Sequence, residues 1–259
     1  YPVRLVESGP AGGALAASFL GARAGVADLM AFDMGGTTAK ICVIDGGEPE
    51  RSDQFEVARV HRFAKGSGLP LKVPVLEMIE IGAGGGSIAR VDELGLLRVG
   101  PESAAASPGP ASYGLGGELP TVTDADLCLG YLDADFFLGG EMKLDRRRAA
   151  DAIEKHIAKP LNLSPARAAW GIHAVVNDNM ARAAKVHCLE RGKDPRDYVL
   201  LAYGGAGPVH AARVAGALGI RRVMYPLRAG VMSALGFLAA PAAFERMRAD
   251  VTLLDAVDP

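Results

Sequence analysis

Apolar residues follow two rhythms along the chain, strand-like before about residue 91 and mostly helical after about residue 145. Val3 to Glu7 predicts a short strand. Ser8-Gly9-Pro10-Ala11-Gly12-Gly13 follows, then an apolar helix to about Ala24. Leu29 to Asp33 is a buried-strand run, Ala39 to Ile44 resumes it, and Asp45-Gly46-Gly47 is a hairpin-type turn. Phe55 to Arg62 alternates, Leu71 to Ile81 is strand-like, and Ile88 to Val91 forms another strand after a glycine run. Residues 100 to 120 read as a Gly/Pro/Ser/Ala loop, and a loop that long in a compact domain is usually functional. Asp145 to Ala158 and Ser164 to Arg191 have helical spacing. Ser164-Pro165 suits the start of the second helix and Gly192 its end. Tyr198 to Tyr203 is a buried strand, Val209 to Leu218 a helix, Arg222 to Tyr225 a strand and Met232 to Ala239 a last helix. Hairpins first and a βαβ order later imply an α/β sheet with helices packed against it.

Composition adds one anomaly. The chain has 33 glycines in 259 residues, or ~13% against a usual ~7%. They show no three-residue period, which excludes collagen, and they sit among apolar runs, which excludes a linker. A net charge of −2 and 6% aromatics argue against a nucleic-acid partner. The basic run Arg146-Arg147-Arg148 reads as the solvated face of a helix. Cys42, Cys128 and Cys188 are far apart and odd in number, so they give no disulfide framework and no thiolate zinc site. They read as small buried thiols, and the protein as cytoplasmic. The longest uncharged apolar stretch, Ala229 to Phe244, contains Gly230, Gly236 and Pro241 and is too short to span a bilayer, so a buried helix is expected and no membrane partner. The chain opens at Tyr1 directly in a strand-like run, which predicts a segment of a longer protein.

Several glycine clusters sit where chemistry is done. In Phe32-Asp33-Met34-Gly35-Gly36-Thr37-Thr38 an acid stands at the end of a strand, followed by glycines and hydroxyls. Glycines let backbone N–H groups form an anion nest, the threonines add donors, and the acid suits Mg²⁺ or its waters. A plain β-turn is the alternative. Tyr203-Gly204-Gly205-Ala206-Gly207-Pro208 carries a buried strand into a helix, the place where nucleotides bind in α/β sheets. Its spacing is not GxGxxG, and Gly192-Lys193 is followed by Asp, so there is no Walker A loop either. Glu80-Ile81-Gly82-Ala83-Gly84-Gly85-Gly86-Ser87 has too much glycine for a hairpin. It implies close backbone approach, to a ligand or to a neighbouring element. In Pro120-Thr121-Val122-Thr123-Asp124-Ala125-Asp126-Leu127, Thr123 or Asp124 is placed to cap the next helix. His173 and Asn177, four apart on the long helix, share a face and suit substrate orientation, metal binding or an interior polar pair. The candidate catalytic residues are Asp33, Glu80, Asp124 and His173, with Asp33 the candidate metal ligand. Gly35, Gly36, Thr37, Thr38, Gly204, Gly205, Ala206 and Gly207 are the candidate cofactor-binding residues.

Taken in order, SGPAGG at 8–13, DMGGTTAK at 33–40, IEIGAGGGSIAR at 79–90, PTVTDADL at 120–127, GGAGPVHA at 204–211 and GVMSALG at 230–236 resemble the hydantoinase A / 5-oxoprolinase family over nearly the whole chain. Departures are small. Ser112 stands where relatives usually carry Cys, Ala105 where Gly is usual and Tyr203 where Phe is usual. A chemical role for that Cys in relatives is therefore not available here.

The resemblance implies an actin-like ATPase (ribonuclease H-like) domain, a mixed sheet flanked by helices with a Gly/Pro-rich and helical insertion. One such domain would cover 1–259, with 1–45 plus 195–259 as its core and 46–194 inserted. In that superfamily two similar halves clamp ATP. The resemblance then makes Asp33 to Thr38 the second phosphate loop and Gly204 to Pro208 the adenosine loop. The first phosphate loop is expected in a missing N-terminal half, so residues 1–259 alone are expected to show no substrate-dependent ATPase activity. The implied reaction is ATP- and Mg²⁺-dependent opening of a cyclic amide, hydantoin or 5-oxoproline, through phosphorylation of the amide oxygen. The implied macromolecular partner is a hydantoinase B-type subunit or fused region. A subunit of an ATP-dependent carboxylase acting on acetone or acetophenone is the alternative, and a non-catalytic actin-like switch is a third reading.

Overall fold

The computed structural model describes residues 5, 7–53, 55–57 and 68–242. Strands β1 (Leu29–Met34), β2 (Ala39–Asp45) and β3 (Glu48–Pro49) form consecutive hairpins. Short ribbons follow, from β4 (Arg51–Ser52), β5 (Phe55–Val57), β6 (Leu69–Leu71) and β7 (Val75–Leu76). Then come β8 (Met78–Ile81), β9 (Ser87–Val91) and β10 (Leu97–Ser103). Late in the chain are β11 (Val199–Tyr203) and β12 (Val223–Met224). The helices are α1 (Ser8–Ala24), α2 (Val122–Cys128), α3 (Arg146–Ile153), α4 (Lys159–Leu161), α5 (Pro165–Leu189), α6 (Gly207–Leu218) and α7 (Met232–Ala239).

The main sheet runs β12-β11-β1-β2-β3, with β8 also pairing β2. It is mixed: β1 is parallel to β11 and antiparallel to β2. Both faces are covered, which is why β1 reads as a continuous apolar run rather than an alternation. Met30, Phe32 and Met34 point to the core shared with α5 and α6, and Leu29 and Ala31 to the core shared with α1. Full burial of each large side chain such as Phe32 contributes roughly 1.5–3 kcal/mol.

Several expectations change. The strand expected at 3–7 and the alternation beyond Val57 fall largely outside the described residues. The SGPAGG stretch is not a connector, because α1 begins at Ser8 and takes it in. Its glycines serve packing. A Cβ on Gly12 would stand 2.8 Å from the Ser233 carbonyl oxygen, and one on Gly236 would stand 1.6 Å from the Gly12 carbonyl oxygen, so α1 and α7 approach almost backbone to backbone. The loop expected over 100–120 starts later, since residues to Ser103 pair with β9. That strand was hidden because Gly100 and Pro101 interrupt it and its buried positions do not alternate. Cys128 is exposed rather than buried. In the apolar stretch after Ala229 only Met232 and Gly236 of α7 are buried, while Leu238 is 86% exposed, which corrects the expected buried helix. Among the described residues no helix is long and apolar enough to cross a membrane. The solvated face expected of Arg146-Arg147-Arg148 is observed, with Asp145 capping α3 through the Arg147 and Arg148 amides.

Candidate functional site

Asp33 lies at the carboxyl end of β1, opposite Tyr203 on β11 and Lys40 on β2. Lys40 in turn lies opposite Glu80 on β8. Directly opposed residues share a sheet face, so Tyr203, Asp33, Lys40 and Glu80 form one row across four strands. Lys40 Nζ donates to Thr38 Oγ1 at 2.6 Å and pairs with Glu80 Oε1 at 2.9 Å. The Asp33 carboxyl makes no hydrogen bond among the described residues. Burial pushes its carboxyl above the usual aspartate range, and the nearby Lys40 ammonium only partly offsets this. Burial also raises Glu7, helped by the negative charge of Glu80. Tyr203 is fully buried, and burial together with the Asp33 charge lifts its phenol well above the ordinary value.

The glycine clusters converge on this strand end. Gly35 N–H donates to the Thr38 carbonyl and closes the 35–38 loop at 3.0 Å. Gly85 and Gly86 donate to the Gly35 and Gly36 carbonyls at 3.0 and 2.6 Å. A Cβ on Gly84 would stand 2.6 Å from the Thr37 nitrogen, so the two loops touch as backbones. From the other side, Ala206 N–H donates to the Met34 carbonyl at 2.9 Å and Gly204 N–H to the Ala229 carbonyl at 3.0 Å. Gly204 has φ of 84°, and a Cβ there would stand 2.5 Å from Asp33 Oδ1. Beside these contacts the loops stay open: a Cβ on Gly36 or Gly205 meets nothing within 4 Å. Helix α6 begins at Gly207, two residues before the expected start, with no side-chain cap on its first amides. Of those amides, Ala206 and Val209 already donate to the Met34 and Ala206 carbonyls and Pro208 has no N–H, so among the described residues Gly207 is left to favour an anion.

The other candidates divide. Glu80 is in the polar row. Asp124 is buried and its oxygens are occupied: they accept from the Ala111, Ser112 and Thr121 amides at 3.2, 2.8 and 2.9 Å. The cap of α2 is Thr121 rather than Thr123 or Asp124, with Asp124 completing a capping box. Thr123 instead donates through Oγ1 to the Gly85 carbonyl at 2.8 Å, joining this helix to the glycine loops. His173 lies in a buried cluster with Asp126 and His210. His210 is one turn into α6, so the cluster stands behind the loop that begins that helix. Burial pushes the Asp126 carboxyl up, but hydrogen bonding, first from the His173 imidazole, brings it below the usual range.

Sequence reasoning missed Lys40, Glu7 and the Asp126–His210 contact. Lys40 had a signal, as the polar position inside an otherwise apolar strand. The contact had none, because its residues come from separate helices.

The family profile described as Hydantoinase/oxoprolinase matches residues 1–246. An uncharacterized protein of Methanocaldococcus jannaschii is 42% identical over 99% of this chain and 38% of its own. The caprolactamase subunit alpha of Pseudomonas jessenii is 39% identical over 95% of this chain and 34% of its own. 5-Oxoprolinase 1 of Arabidopsis thaliana is 33% identical over 90% and 19%. Among solved structures, nucleotide-free acetone carboxylase superposes with a TM-score of 0.78 at 35% identity, over 88% of this chain and 31% of that one. The ATP-dependent caprolactamase of Pseudomonas jessenii superposes with a TM-score of 0.75 at 40% identity, over 88% and 32%. The chain thus spans about a third of the length of the first relatives it matches.

Proposed function

Since the chain belongs to the hydantoinase/oxoprolinase family, we propose that it forms the phosphate- and adenosine-binding side of an ATP-dependent enzyme that activates the carbonyl of a cyclic amide. The observation that carries this is the convergence of the 35–38, 82–87 and 204–207 loops beside Asp33 at one sheet edge. The N–H groups of Gly36, Thr37, Gly205 and Gly207, which donate to no carbonyl among the described residues, supply donors for phosphate oxygens, and the open space in front of Gly36 and Gly205 accommodates the nucleotide. A cyclic amide resists hydrolysis through resonance. Transfer of the γ-phosphoryl to the amide oxygen, with ADP leaving, makes the carbon electrophilic enough for water. Positioning and charge neutralisation dominate such a transfer.

The residues at Asp33 fit Mg²⁺. A carboxylate that is partly buried, without a hydrogen-bond donor among the described residues and raised by burial, gains from a divalent cation or its bound waters. Mg²⁺ would neutralise phosphate charge there. Lys40 holds Thr38 in place through its hydroxyl, and Glu80 holds Lys40. Asp124 supports the site at one remove, by ordering the segment that carries Thr123.

The partner in this reading is a hydantoinase B-type subunit or fused region, together with the N-terminal half of the clamp. A second reading, a subunit of an ATP-dependent ketone carboxylase, is favoured by the superposition on acetone carboxylase. Assays of the full-length protein separate them. ATP consumption that rises with 5-oxoproline, hydantoin or caprolactam supports the first. Consumption that needs acetone or acetophenone together with bicarbonate supports the second. In either case Asp33→Asn is expected to lower substrate-dependent turnover by roughly a hundredfold or more. Wild-type turnover in that variant would remove Asp33 from the site.

A further inference from the structure

Asp126 on α2, His173 on α5 and His210 on α6 bring one carboxylate and two imidazoles together with almost no access to solvent, their side chains 4%, 1% and 0% exposed. Their hydrogen-bond partners fix the protons. Asn177 stands 2.7 Å from the His173 carbonyl oxygen. Only an NH₂ group can face a carbonyl at that distance, so the amide oxygen must be the atom turned toward His210 Nδ1, 3.1 Å away. An amide oxygen only accepts, so His210 Nδ1 carries a hydrogen. In neutral imidazole this leaves Nε2 as a bare lone pair.

That lone pair faces a second acceptor. His210 Nε2 lies 3.1 Å from Asp126 Oδ2, yet it is a buried nitrogen without a properly directed hydrogen bond. Two acceptors this close repel unless a positive charge sits between them. A proton shared along the line of the two atoms would align them. The misalignment leaves the Nε2 lone pair open to a third partner. A fully buried imidazolium would also lie against the ring of His173, whose centroid is 4.8 Å away.

We propose that Asp126, His173 and His210 form a buried binding site for a divalent cation of the zinc type. One carboxylate oxygen of Asp126 and one ring nitrogen of each histidine lie within 4.8 Å of one another. Bonds of ~2.0–2.1 Å in a tetrahedron place ligands about 3.4 Å apart, so small rotations bring the three atoms onto one ion. Two nitrogens and one oxygen suit Zn²⁺ over Mg²⁺, which prefers oxygen. Water completes the coordination. His173 Nδ1, now 2.8 Å from Asp126 Oδ1, gives up its proton to solvent when the ion binds. Asn177 is the outer partner that orients His210. The ion ties α2, α5 and α6 together directly behind the first turn of α6. Its role is to hold the glycine loop at that turn, not to contact substrate.

The test uses the full-length protein stripped with a chelator, loaded with Zn²⁺ alone and desalted. Wild type is expected to retain one equivalent of zinc per chain more than His210→Gln, with both folded by circular dichroism. Cobalt loading is expected to give visible ligand-field absorption in wild type that His210→Gln lacks. Asp33→Asn keeps the zinc while losing turnover, so failure of the proposed reaction and failure of the metal site are separable. Equal zinc in wild type and His210→Gln overturns the proposal. If the variant does not fold, anomalous diffraction from zinc-soaked wild-type crystals decides: a peak between the three side chains supports the site, and its absence overturns it.

Discussion

The carboxyl of Asp33 is raised by burial and only partly brought back by Lys40, so the native chain holds its proton more tightly than the unfolded chain does. For a raised acid, the stabilising contribution is complete below the unfolded value and is lost as pH rises through the folded one. At neutral pH the ionised group is therefore a burden on the fold. Asp33→Asn keeps the shape and removes the charge. It is expected to melt at a higher temperature than wild type near pH 7, with the gap closing in acid below the ordinary aspartate range. Thermal melts at both pH values check this, and a lower melting temperature for the variant at neutral pH would contradict the stated origin of the shift. Stability lost at a residue proposed to hold Mg²⁺ is a familiar exchange. At this scale the sequence was informative for Asp33 and its glycines, because a strand-end acid before a glycine pair is a local pattern. It was silent on the pairing of Lys40 with Glu80, which depends on the register of β2 against β8. It was equally silent on His210, whose partner Asp126 is far away along the chain.

Short helices show the same division between local and distant information. Helix α2 has only seven residues, too few to persist without tertiary support. Asp124 supplies much of that support by satisfying buried amides from two segments. Asp124→Ala leaves those donors unpaired, at about 1–3 kcal/mol each. The expected loss is roughly 3 kcal/mol or more, read from urea denaturation. Thr121→Ala, which removes the cap and the hydroxyl's bond to Asp124 Oδ2 but leaves the loop amides paired, is expected to cost about 1 kcal/mol. A smaller effect for Asp124 than for Thr121 would show that the loop amides find other partners. The sequence indicated a cap in this stretch but placed it on the wrong residue, since threonines at 121 and 123 are equivalent by type. What separates them is that Thr123 turns to the Gly85 carbonyl, a contact no local pattern encodes. Strand β10 was missed for a related reason. Its pairing with β9 shifts register between Val99 and Ser103, so no period survives in the sequence.

Across the whole molecule, the near and far ends of the described chain meet where α1 crosses α7. Gly236→Ala places a methyl group into the Gly12 carbonyl, and the helices must separate to admit it. Overpacking of this kind costs about 1–3 kcal/mol, or roughly 2–4 °C in melting temperature per kcal/mol for a domain of this size. Because Gly13 lies against the Tyr203 ring and Tyr203 lies beside Asp33, weaker ATP binding is expected along with the lower melting temperature. Calorimetry on the full-length protein measures both, and unchanged values would place the helix contact outside the site. The α/β class could be read from the order of hairpins and βαβ units. The use of SGPAGG as a helix–helix seam could not, because glycine promises freedom as readily as it promises closeness.

The parallel pairing of β1 with β11 also sets a schedule for the newborn protein. Leu29 finds its partner Val199 only after roughly 170 further residues have been made, which at ribosomal speeds takes about 10–30 s. During that interval β1 has β2 on one edge and nothing on the other, and its apolar face has no α5 or α6 to cover it. The strand that bears Asp33 is thus a candidate client for chaperones during synthesis, and its edge of the sheet is completed only once β11 has been made.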